Sequence, residues 1–171
     1  DYVSLWRFTV DYLRNERGFE QLLFAFSPGG ADLRTSQDYL FRYPGDAYVD
    51  VMGVDHYYDT DVAGLLRAVG TTVAAAAAHH KIAALTEFGI KDGLSELTPP
   101  NWFSTNFFEP LIAGPSTSRI AYALAWRNAG VDHCFLPYPG HPTAADFRRI
   151  CEDPRLVLER DLSLEKAGEA E

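Results

Sequence analysis

The chain has 171 residues, 47% hydrophobic and 23% charged, a composition that builds a globular domain and excludes a disordered segment. A formal net charge of −9 argues against phosphate backbones and anionic membrane surfaces, which need Lys and Arg patches, so neither nucleic acid nor a lipid surface is an expected partner. Aromatic residues make up 13%, which suits either a generous core or the flat apolar ring faces that bind sugars.

The first segment places Val3, Trp6, Val10 and Leu13 on one stripe, which predicts an amphipathic helix ended by Gly18. Residues 1–17 are polar-interrupted, so they do not read as a signal peptide, and no run of about 18 apolar residues predicts a membrane span. Residues 21–26 form a short apolar run closed by Ser27-Pro28-Gly29-Gly30, which predicts a strand buried on both faces, as in parallel sheets. One helical turn is expected near 36–41, and Tyr43-Pro44-Gly45-Asp46 marks a turn. A second strand follows over 48–54, then a helix marked by Val62, Leu65, Leu66, Val69 and Val73 and extended by the alanines at 74–78. Residues 82–86 predict a third strand that delivers Glu87. Pro99, Pro100 and Asn101 are expected to cap a helix carrying Phe103, Phe107 and Leu111. Residues 121–125 predict a fourth strand that delivers Trp126 and Arg127. A last helix is expected with Thr143 and Asp146 as its capping pair and Phe147 and Ile150 facing inward.

Alternation of strand and helix implies a parallel sheet with right-handed crossovers, either an open doubly wound sheet or half of an eight-stranded barrel. No Gly-rich phosphate loop opens a helix, so dinucleotide binding has no support. The barrel is favoured because each strand ends in chemically capable groups: Ser27, Asp55 with Tyr57, Glu87, and Trp126 with Arg127.

Glu87 is the sharpest of these, a carboxylate set directly after an apolar strand, where it either does chemistry or caps a neighbouring helix. Asp55 and Tyr57 stand two positions apart and point to the same side of their strand. A tyrosine hydroxyl there can donate to Glu87 and keep it ionised, while Asp55 either orients the tyrosine or binds a sugar hydroxyl. Trp126 offers a ring to floor a sugar subsite or fill the core, and Arg127 offers a donor fork or a surface ion pair. His79 and His80 suit the C-terminal end of an alanine-rich helix, His56 reads as packing, and His133 and His141 flank a loop that can line a cleft. Cys134 and Cys151 are too few for a disulfide scaffold, and no HxH, HxxxH or CxxC pairing occurs, so no metal or other cofactor is expected. Ser27 lies outside any G-x-S-x-G elbow, which argues against a Ser–His–Asp hydrolase.

Five strings stand in order along the chain: YPGDAYVDV at 43–51, GVDHY at 53–57, LTEFG at 85–89, AWRNA at 125–129 and PYPGHP at 137–142. Together they resemble the second half of the family 26 glycoside hydrolases, in particular the bacterial endo-β-1,4-mannanases. The resemblance implies the C-terminal half of a (β/α)8 barrel, strands five to eight, with residues 1–171 as a partial catalytic domain and β-mannan as substrate. It implies Glu87 as the nucleophile of a retaining glycosidase, Asp55 and Tyr57 as its neighbours, and Trp126 and Arg127 as the lining of the glycone side. The family's acid/base Glu follows a His at the end of the fourth strand, and no His-Glu pair occurs in this sequence. Retention needs two carboxyl groups about 5–5.5 Å apart, so the chain is expected to be inactive alone and to be completed by an N-terminal half or by self-association. A secreted, periplasmic or cell-surface location is implied by the resemblance only. A non-catalytic mannan-binding protein, or a relative acting on β-glucan or β-xylan, remains an alternative.

Overall fold

The computed structural model describes residues 1–95, 98–130 and 133–161. Four strands form one wholly parallel sheet in the order β1-β2-β3-β4: Ala25–Phe26, Val51–Tyr57, Ile82–Gly89 and Ala123–Ala125. Helix α1 (Tyr2–Asp11) precedes β1, α2 (Ser36–Tyr39) and α3 (Val62–Ala78) flank β2, α4 (Glu109–Ala113) follows β3, and α5 (Ala144–Cys151) follows β4. The strand order equals the chain order, so every crossover steps to the next strand, as in a barrel and not as in a doubly wound sheet.

The longest helix, α3, is specified locally. Asp61 accepts from the Gly64 amide at 2.8 Å as its N-cap, and the last five residues are all alanine, the strongest helix former. Its C-terminal His79 ring nitrogen lies 2.8 Å from the Asp46 carboxylate, which fixes the helix end to the turn before β2. Leu65, Ala68, Val69, Val73 and Ala76 of α3 are buried against β2 and β3, where Met52, Val54, Leu85 and Phe88 are buried as well. This helix-facing side of the sheet is the core.

Two strands are shorter and more open than the sequence predicts. Only Ala25 and Phe26 of the 21–26 run are strand, and Leu23 is 72% exposed. Likewise β4 begins at Ala123, and Leu124 is 49% exposed. Each is an edge strand of this sheet with a ladder on one side only, and edge strands are commonly kept short. The second strand starts at Val51 because Asp46–Tyr48 closes a 3-10 turn, whose Tyr48 carbonyl accepts from the Trp6 indole at 3.0 Å.

Helix ends also depart from the expected caps. A π-helical turn, Phe103–Phe108, leads into α4. Pro110 has no N–H to give Asn106, four residues back, and the Tyr58 hydroxyl donates to that carbonyl at 2.8 Å instead. The Asn101 carbonyl, not its side chain, accepts from the Thr105 amide. Asp146 does not cap its own helix with Thr143. Its buried carboxylate accepts from the Ser104 amide at 2.8 Å and the Ser104 hydroxyl at 2.7 Å, which joins α5 to the α4 segment. Phe147 and Ile150 do face inward, with Phe147 edge-on to Phe103. No disulfide joins Cys134 and Cys151, and among the described residues no helix is long and apolar enough to cross a membrane.

Candidate active site

The site forms where β1, β2 and β3 end, and a bulge in β3 creates it. Val54 pairs with Leu85, but Asp55 pairs with Glu87, so Thr86 is the extra residue. The two residues of the bulge break the period-two alternation. Leu85 and Phe88 both stay on the helix side, and Phe88 stacks on Phe107 at 3.8 Å between centroids. Thr86 and Glu87 therefore both turn to the opposite, cleft side. Gly53 makes this possible, because a Cβ there would collide with the Thr86 hydroxyl and methyl.

Glu87 is half-buried, and the Tyr57 hydroxyl donates to its Oε2 at 2.8 Å. Burial first, and then the hydrogen bond to Glu87, hold the Tyr57 phenol well above the usual tyrosine range, so it remains a donor at any working pH. Tyr57 reaches Glu87 because its ladder partner is Gly89. A Cβ at Gly89 would strike the Phe135 ring and stand 3.2 Å from Tyr57 Cε1.

Asp55 does not hold Tyr57, whose hydroxyl goes to Glu87, and meets Ser27 at the end of β1 instead. Its Oδ1 accepts from the Ser27 hydroxyl at 2.6 Å, and Ser27 in turn bonds Thr86. The Asp55 amide donates to Pro28 at 3.1 Å, which extends the β1–β2 pairing to the strand ends.

Trp126 follows β4, with its amide bonded to the Phe88 carbonyl at 2.9 Å and its indole N–H donated to His133 Nε2 at 3.1 Å. His133 stands edge-on to Phe135, and Phe135 edge-on to Tyr57, at 5.1 and 5.6 Å between centroids. A row of rings thus runs from Trp126 to the residue that holds Glu87. Arg127 is exposed, its guanidinium 5.9 Å from the Trp126 ring. His141 lies outside this row, buried between Thr143 and the Ser95 carbonyl, and His56 packs on the helix side against Tyr58.

Thr86, Phe135 and the part played by Ser27 escape a reading of strand ends alone. The signal that finds Thr86 and Phe135 is Gly53 and Gly89, two glycines within apolar strands, which mark close approach of a neighbouring side chain.

Parallel strands joined in sequence order, with a tyrosine-held carboxylate at their C-terminal ends, are the arrangement of part of an α/β barrel with its polar groups gathered at one mouth. Comparison with known proteins makes the class specific. The sequence model of glycosyl hydrolase family 26 matches residues 1–99. A mannan endo-1,4-beta-mannosidase of Bifidobacterium adolescentis is 35% identical over 176 positions, taking in 92% of this chain and 17% of that protein. The modular endo-β-1,4-mannanase of Cellulomonas fimi superposes with a TM-score of 0.88 at 36% identity, covering 95% of this chain and 37% of that one. The catalytic domain of a Bacillus endo-β-1,4-mannanase gives a TM-score of 0.87 at 33% identity, covering 95% of this chain and 46% of that one. The chain belongs to glycosyl hydrolase family 26, and its sheet is the C-terminal half of that family's barrel. It spans less than half the length of each of these relatives.

Proposed function

We propose that this chain supplies the nucleophile side of a retaining endo-β-1,4-mannanase. The observation that carries the proposal is the 2.8 Å bond from Tyr57 to Glu87 at the C-terminal mouth of the sheet. One carboxylate oxygen is held by the phenol, and the other faces the cleft. Glu87 attacks the anomeric carbon of a β-mannosyl unit while a second carboxyl group protonates the departing glycosidic oxygen. A covalent glycosyl-enzyme forms, and water activated by that second group releases the sugar with its configuration retained. The second carboxyl belongs to the part of the barrel outside these four strands. Asp55 accepts from sugar hydroxyls, and Trp126 with Arg127 lines the glycone side. The mannanase relatives support mannan as the substrate.

The test is Glu87→Ala in a protein that carries this chain within a complete eight-stranded barrel. Turnover is expected to fall roughly a thousandfold or more with the fold intact. Azide is expected to restore part of it on an activated aryl β-mannoside, yielding the α-mannosyl azide. A variant that keeps most of its activity shows that Glu87 is structural. Loss of activity without an azide product reassigns it to another role.

A further inference from the structure

The Glu87–Tyr57 pair does not explain why three polar side chains from three different strands converge beside it. Ser27 ends β1, Asp55 lies on β2, and Thr86 is the bulged residue of β3. All three are half-buried. A serine hydroxyl has one proton, and Ser27 commits it to Asp55 Oδ1, since a carboxylate can only accept. The bond between Ser27 and Thr86 must then run from Thr86 to Ser27. The three groups form a one-way relay, Thr86 to Ser27 to Asp55, in which each bond polarises the next.

We infer that Ser27 and Thr86 are positioning residues that fix the Asp55 carboxylate for recognition of a sugar hydroxyl. The relay occupies Oδ1 and leaves Oδ2 as the acceptor for substrate. It also draws Asp55 toward β1, so that the Tyr57 hydroxyl goes undivided to Glu87. The bulge serves both functions at once: the extra residue that turns Glu87 into the cleft is the one that starts the relay, and Gly53 is the space it occupies. A carboxylate with a single fixed orientation binds without first losing its rotamer freedom, so the relay acts on substrate affinity more than on the chemical step.

This inference rests on the proposed glycosidase reading for its substrate, but its geometry can be tested apart from it. In the complete-barrel protein, Ser27→Ala is expected to raise KM for manno-oligosaccharides about five- to tenfold with kcat changed less than about twofold. Thr86→Val, which keeps the shape over Gly53, should give a smaller rise in KM. In an Asp55→Ala background Ser27→Ala should add nothing, because it acts only through Asp55. An unchanged KM, or an equal loss with and without Asp55, overturns the relay. Should no mannan hydrolysis be found in any version, the mannanase reading fails, and the relay is judged on crystal structures of the complete-barrel protein. A single Asp55 rotamer that becomes disordered in Ser27→Ala supports it there, and an unchanged rotamer overturns it.

Discussion

On the helix side of β2, Met52 and Val54 are wholly buried, while on the cleft side of the same strand Asp55 and Tyr57 stay partly open to solvent. The helix side is held by non-directional apolar packing against α3 and the α4 segment. The cleft side is held by directional bonds between strands: Ser27 to Asp55, Ser27 with Thr86, and Tyr57 to Glu87. The two faces therefore divide stability from chemistry, and damage to one should leave a different signature from damage to the other.

The largest expected effect tests the helix side. Phe88→Ala removes the ring stacked on Phe107 and should cost roughly 3–5 kcal/mol in urea unfolding. The protein that remains folded should keep its KM. If instead stability holds and KM rises, the division between the faces is wrong.

On the cleft side, Tyr57→Phe deletes one hydroxyl and leaves the ring against Phe135. In the complete-barrel protein kcat/KM should fall about a hundredfold, the order expected for one donor aimed at a reacting carboxylate. The unfolding midpoint should move little. A variant with near-normal turnover would show that Glu87 does not depend on this bond.

The smallest effect concerns a buried polar ring on the helix side of β2. His56 is 5% exposed, and neither ring nitrogen has a hydrogen-bond partner among the described residues. Burial holds its pKa below the usual 6.5, partly opposed by the Asp61 charge, and the Arg67 charge adds the smallest push downward. The folded ring stays neutral, whereas the unfolded ring takes up a proton below about pH 6.5. Stability from this group is thus present above that pH and is lost on acidification. Thermal melts from pH 7 to 5 should show a shallower decline in His56→Phe than in the parent. Equal slopes would show that the ring finds a partner when it is protonated.

The order of elements was readable because each strand and helix carries its own period: the apolar runs around Met52 and Ala84, and the heptad-like spacing from Val62 to Val73. Glu87 was readable because a carboxylate after an apolar strand is costly without a partner. Its partner Tyr57 was readable because residues two apart share a strand face. These local rules place Asp55, Tyr57 and Glu87 on one side of the sheet, and Arg127 stays exposed beside Trp126.

The rest depends on register between strands far apart in sequence. The bulge at Thr86 cannot be read from β3 alone, since it exists only against β2, where Gly53 leaves the room. Ser27 becomes a support for Asp55, not a candidate nucleophile, because the two strand ends come to lie side by side. Asp146 reaches Ser104 and does not form a capping pair with Thr143 for the same reason: a hydrogen bond goes to whichever donor packing brings within reach. Periodicity fixes which face a side chain takes, and the pairing of distant segments fixes what it meets there.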